Sequence, residues 1–451
     1  MPAWASPQGW MERETKGCKP GPMFAGRAGM ESCRVVVEIA FTPDAEHALC
    51  TAYETHHASR FRQMFHQKTL MKFASLLVTL TALAVTTLVP FTAVAAPAPA
   101  ASGKKLKVFI LAGQSNMQGH ANVATLDYIG DDPATAPILK EMRGADGKAR
   151  VCDKVWISSV GCAGDDTTEQ TGRLTSGFGA STQEIGPEFT FGIYMEKQLG
   201  EPILLIKTSW GGKSLNTDFR PPSAGPYAFN EVELENIKKQ GGDLDKKKAD
   251  KAKVTGHYYH LMINHVARVL KDIKRVYPAY NASQGYELAG LVWFQGFNDL
   301  VAGDTYPHRY ESAAGYAKYG EWMADFIRDV RKDLAAPKLP FVIGVMGIGG
   351  PIEQFLQPRY KGVNANFRAA MAAPALLPEF KGNVIAVQTA PFWPLELEKL
   401  AEKKDRTPAE EALSKRGASN GGYHYLGCAK TMAQIGKAFA EALANPRKTL
   451  R

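Results

Sequence analysis

Five short runs are apolar almost throughout: Leu106 to Leu111, Pro202 to Ile206, Leu288 to Phe294, Pro340 to Met346 and Asn383 to Val387. A strand with one wet face alternates apolar and polar side chains, whereas a strand covered on both faces does not. Continuous apolar runs of this length therefore read as parallel strands buried between helices. Between them, Pro187 to Leu199, Tyr258 to Val276, Tyr310 to Leu334 and Ala365 to Ala372 carry helical period. A last amphipathic helix is expected at Tyr425 to Leu443, with Leu426, Met432, Ile435 and Phe439 on one side. Strands alternating with helices imply an α/β sandwich around a central parallel sheet, joined by right-handed crossovers. Ligands of such sheets bind beyond the carboxyl ends of the strands, so chemistry should gather just after each run.

Residues 216–256 break the alternation with three prolines and a charged stretch ending in Lys246-Lys247-Lys248. They are expected to form a surface insertion, a rim over the site. Upstream of the sandwich, Met71-Lys72 opens an apolar stretch closed by Ala93-Val94-Ala95, the small-x-small pattern cut by signal peptidase. Residues 71–95 thus read as a signal peptide, 96–104 as a Pro/Ala-rich linker and 105–446 as the functional domain, with export following. Residues 1–70 hold three of the six cysteines and no sustained period. They are expected to be an extension outside the true start, which the reading places at Met71 or Met64.

The net charge of +9 is spread along the chain instead of forming basic runs, which gives nucleic-acid binding no support. No stable membrane insertion is expected once the leader is removed. In an exported protein Cys152 and Cys162 can close a short loop, leaving Cys428 as a buried thiol. No CxxC or HExxH spacing is present, so neither a metal nor another cofactor is expected.

The first strand runs into Gly113-Gln114-Ser115-Asn116-Met117, which puts a serine at the sheet edge. Gly, Ser and Asn also make plain turns, while the GxGxxG and Walker patterns of a phosphate loop are missing. The second strand ends in Lys207-Thr208-Ser209-Trp210-Gly211-Gly212-Lys213, where paired glycines let backbone N–H groups approach a ligand. The third ends in Trp293-Phe294-Gln295-Gly296-Phe297-Asn298-Asp299, where the Asn298 amide is a further donor. Gln114, Gln295 and Trp210 are expected to meet substrate, with Phe297 as a second aromatic platform. Lys213 or Arg220 could meet a carboxylate on an anionic substrate.

A serine hydroxyl needs a neighbour to take its proton, and histidine suits that task near neutral pH. Six histidines follow residue 96: His120, His257, His260, His265, His308 and His424. His424 stands at the expected start of the last helix, where the positive end of the helix dipole favours a neutral, proton-accepting imidazole.

Taken together, the GQSNM block, the Gly211-Gly212 turn, the block Gln295-Gly296-Phe297-Asn298-Asp299 and His424 resemble the SGNH hydrolases, and within them the branch of sialate O-acetylesterases and acetylxylan esterases of carbohydrate esterase family six. The resemblance runs from about Lys105 to Ala442. It implies a three-layer α/β/α, flavodoxin-like fold and a serine esterase removing short acyl groups from carbohydrate. By it Ser115 is nucleophile, His424 is base, and the Ser115 N–H, Gly212 N–H and Asn298 amide form the oxyanion hole. An SGNH esterase of lipid or aryl esters and a non-catalytic glycan-binding relative are the alternatives. One departure stands out: the family's aspartate three residues before the histidine is Gly421 here. Either a backbone carbonyl or an acid from elsewhere must then orient His424, with Asp299 the first nominee and Glu188 the second.

Overall fold

The computed structural model describes residues 104–162 and 164–445. The expected extension, signal peptide and most of the linker lie outside the described residues. Seven strands form one sheet: β1 (Leu106–Gly113), β2 (Val155–Val160), β3 (Glu169–Arg173), β4 (Ile203–Ser209), β5 (Tyr286–Phe294), β6 (Phe341–Val345) and β7 (Val384–Gln388), in the order β3-β2-β4-β1-β5-β6-β7. Every pairing is parallel except that of β3, an antiparallel edge strand on β2.

The five apolar runs are five of these strands. β2 and β3 escape the apolar pattern for a physical reason: Ser158 and Ser159 interrupt β2, and β3 (Glu-Gln-Thr-Gly-Arg) is a polar edge. Ser158 is nonetheless buried, because Glu169 and His265 satisfy its hydroxyl.

Side chains of β1 alternate between two cores. Val108, Ile110 and Ala112 pack on one side with helices His257–Lys271, Ala317–Asp333 and Pro358–Ala372. Phe109 and Leu111 pack on the other with helices Glu188–Leu199 and Ala429–Ala444. This is the three-layer α/β/α arrangement, and burial on both faces is why β1 reads as uninterruptedly apolar.

Two expectations change, the start of the last helix and the cysteine pairing. The last helix begins at Ala429, not Tyr425, because Tyr425, Leu426 and Gly427 all have positive φ (55°, 58° and 58°) and break the chain away from a helix. His424 therefore gains nothing from a helix N-terminus. Residues 216–256 contain two helices, Glu231–Lys239 and Leu244–Val254, with no buried side chain. The first is started by a capping box between Asn230 and Glu233, an N-x-x-E signal legible in the sequence. Cys152 and Cys162 are buried free thiols. They flank β2 at opposite ends, and its six residues span about 20 Å, far beyond the Cα separation of about 7 Å that a disulfide tolerates.

Candidate active site

Register brings three sequence blocks together. Gly113, the last residue of β1, pairs with Ser209 of β4 on one side and Phe294 of β5 on the other. The Ser115 turn, the Trp210-Gly211-Gly212 turn and the Gln295 to Asp299 turn consequently leave the sheet side by side at its carboxyl edge. Ser115 opens the four-residue helix Ser115–Gln118. Its hydroxyl donates to Gln114 Oε1, which also accepts from Asn116 N at 3.3 Å. Gly212 has φ +73° with open space where a Cβ would stand, so only its backbone faces that space. Asn298 is half-buried and none of the described hydrogen bonds uses its amide.

The turn carrying His424, residues Gly422–Gly427, touches the Ser115 helix. Three contacts seat the imidazole, one of them the Tyr423 ring with its centroid 4.2 Å away. His120 stacks on it, ring centroids 3.8 Å apart and 3° from parallel, and Asn420 Oδ1 lies 3.1 Å from His424 Nδ1. Tyr423 links the same turn to Phe297, ring centroids 6.0 Å apart. Burial, with His120 adding to it, pushes the His424 pKa down to about 3, which keeps the ring neutral and able to accept a proton.

Both acids nominated to orient His424 are occupied elsewhere. Asp299 is fully buried, and its carboxylate accepts from Leu215 N (2.7 Å), Asn216 N (3.1 Å), Asn216 Nδ2 (3.0 Å), Gln295 Nε2 (2.7 Å) and Tyr306 Oη (2.8 Å). It ties the turn after β5 to the chain just past the Gly212 turn. Glu188 pairs with Lys207 at 2.8 Å, both side chains wholly buried, and Lys207 Nζ also donates to Gln118 O (2.7 Å) and Phe178 O (2.6 Å). That pair braces the end of the Ser115 helix from below.

The substrate-contact expectations also divide. Trp210 is a core residue, 2% exposed, packed on Phe219 and Tyr258 with its indole N–H on Asp166 O. Gln295 is fully engaged, donating to Lys213 O and Asp299 and accepting from Tyr319 Oη. Gln114 is buried beside the nucleophile with its Nε2 unpartnered. Arg220 spends its guanidinium on the carbonyls of Asn216, Ala224 and Gly225. Lys213 lies over the Tyr258 ring at 4.3 Å, directly after Gly212.

Asn420 and His120 carry weight that sequence reasoning did not assign. The signal for Asn420 was visible, since a short polar side chain sits one position before the vacant aspartate site. The signal for His120 was its place five residues after Ser115.

The model of the family described as carbohydrate esterase, sialic acid-specific acetylesterase matches residues 105–376. Ser115, Gly212 and Asn298 fall inside that match; Asn420 and His424 follow it. No curated protein matches the chain. Among solved structures, an Arabidopsis thaliana protein aligns at 16% identity and TM-score 0.40, covering 75% of this chain and 98% of its own. A carbohydrate acetylesterase from Xanthomonas citri aligns at 14% identity and TM-score 0.37, covering 74% and 55%. NanS aligns at 14% identity and TM-score 0.34, covering 63% and 78%.

Proposed function

Because the chain belongs to the carbohydrate esterase family of sialic acid-specific acetylesterases, and is thus a carbohydrate O-acetylesterase, we propose that it works through an acyl-serine intermediate formed on Ser115 with His424 as base. His424 Nε2 takes the hydroxyl proton as Ser115 Oγ attacks the acetyl carbonyl, then returns it to the departing sugar oxygen. Water repeats the sequence on the acetyl-serine, releasing acetate. The Ser115 and Gly212 N–H groups and the Asn298 amide are the donors for the oxyanion, held ready by the Asp299 knot.

The observation that carries this reading is the register of Gly113 with Ser209 and Phe294, which gathers nucleophile and donors at one edge. The substrate class favoured is an O-acetylated acidic sugar such as sialic acid, with Lys213, the residue after Gly212, as the cation proposed for its carboxylate; neutral xylan is the competing substrate. Export through residues 71–95 belongs to the same reading, and N-terminal sequencing of secreted protein should begin just after Ala95.

The test is acetate release from acetylated sialic acid and acetylated xylan, with p-nitrophenyl esters of increasing acyl length alongside. Activity on acetyl esters that falls steeply with chain length and vanishes in Ser115→Ala supports the proposal. Activity that survives Ser115→Ala, or that prefers long acyl chains, overturns it.

A further inference from the structure

The resemblance to SGNH hydrolases implies an aspartate three residues before the histidine, and here that position is Gly421. A side chain there is also disfavoured by packing: a Cβ on Gly421 would stand 2.5 Å from Cε1 of the Tyr423 ring. The partner that His424 has instead is the Asn420 side chain, at 3.1 Å from Nδ1.

An amide next to an imidazole is ambiguous in general, since its oxygen and nitrogen are hard to tell apart. Here a second bond removes the ambiguity. The Gly421 N–H donates to the same Asn420 atom at 2.7 Å, and a backbone N–H can only donate. The shared atom is therefore the carbonyl oxygen, an acceptor. His424 Nδ1 must then carry the proton, which leaves Nε2 with its lone pair free for the serine hydroxyl. This is the tautomer a general base needs. In the trypsin-type triad, changing the aspartate to asparagine gives the wrong tautomer and costs about 10⁴ in kcat; here the Gly421 N–H prevents that inversion.

Backbone geometry fixes the pair. Leu426 O accepts from both Ser419 N (2.9 Å) and Asn420 N (3.0 Å), and Gly421 O accepts from both His424 N and Leu426 N (3.0 Å each). This closed loop depends on the left-handed run from Tyr425 to Gly427. A Cβ on Gly427 would run into Ser419 Oγ and the Asn420 nitrogen, so the residue must be glycine. The buried Tyr425 hydroxyl anchors the run, accepting from Gly347 N and bonding Thr389 Oγ1, each at 2.7 Å.

We propose that Asn420 is the positioning residue of this esterase, holding His424 in the Nδ1–H tautomer through a side-chain oxygen whose orientation is set by the Gly421 N–H. The proposal rests on the reading of Ser115 and His424 as nucleophile and base. A neutral carbonyl orients the ring without the negative charge that would stabilise its protonated form, so an aspartate at that position should keep the tautomer and raise the basicity of Nε2.

The experiment compares kcat, KM and the pH profile of Asn420→Ala, Asn420→Asp, His424→Ala and the parent enzyme, with thermal melting of each. Expected are a fall in kcat of about 10² or more for Asn420→Ala with KM within threefold and melting unchanged. Asn420→Asp should restore kcat and move the acid limb upward. His120, stacked on the ring, and Glu184 and Lys207, which act on His120, are all left intact. Asn420→Ala within threefold of the parent in kcat, with His424→Ala inactive, overturns the proposal alone. So does Asn420→Asp as poor as Asn420→Ala with an unmoved limb. Full activity in His424→Ala would overturn the underlying reading as well.

Discussion

His120 and His424 lie face to face, their ring centroids 3.8 Å apart and their planes 3° from parallel. Burial lowers the pKa of His120, with Glu184 opposing and Lys207 reinforcing the effect. Two stacked imidazoles in such a place disfavour protonation of each other. His424 must be neutral to act as base, so activity is lost only as pH falls through its pKa, which stands near 3. The acid limb of kcat/KM is expected well below pH 6, and His120→Phe, which keeps the stack and removes the neighbouring charge, should move it upward. A limb at pH 6 to 7 in the parent enzyme would contradict this account.

Lys207 is buried with Glu188 beneath the Ser115 helix. Lys207→Met would leave Glu188 as an unpaired buried acid and release Gln118 O. Loss of about 3–5 kcal/mol of unfolding free energy is expected in urea titration, with kcat falling too. The double change Lys207→Met with Glu188→Leu should recover most of the stability but not the activity.

Ser158 Oγ and His265 Nε2 lie 2.9 Å apart, yet their polarity is the reverse of that in a nucleophile–base pair. Arg268 can only donate, so His265 Nδ1 accepts from it, Nε2–H donates to Ser158, and Ser158 donates to Glu169. A serine that receives the histidine proton is no nucleophile. Ser158→Ala should leave kcat unchanged and cost about 1–3 kcal/mol of stability. The His265 pKa is pushed down to about 4, chiefly by burial. Its folded value lies below the ordinary 6.5, so the unfolded chain takes up a proton first as pH falls. Stability should therefore decline between about pH 6.5 and 4, and less so in His265→Gln.

Asp299 meets five donors, two on Oδ2 and three on Oδ1. An asparagine in its place would turn an NH₂ towards some of them. Asp299→Asn should lower the unfolding free energy by about 3 kcal/mol while leaving the acid limb where it is. A displaced limb with stability intact would make Asp299, not Asn420, the partner of His424.

Much of the fold was legible because burial on both faces of β1, β4 and β5 writes itself into the chain as apolar runs, and because Ser115, Gly212 and Asn298 each stand just past one of them. The rest depends on tertiary partners. β2 hides behind two serines, of which Ser158 is satisfied by Glu169 and His265. Trp210 and Gln295 occupy strand-end positions typical of ligand contacts, but one is claimed by an aromatic cluster and the other by Asp299, Lys213 and Tyr319. Asn420 stands one position before the vacant aspartate site, but its bond to His424 exists only through a left-handed turn that Tyr425 and Leu426 adopt against their own preference, so its role follows from tertiary geometry.

The most direct test of the account is peptide mapping after treatment with a fluorophosphonate, which reacts only with an activated serine. The account predicts one adduct, on the peptide containing Ser115, formed in the parent enzyme and strongly slowed in His424→Ala. Labelling of another serine, or undiminished labelling of Ser115 without His424, would contradict it.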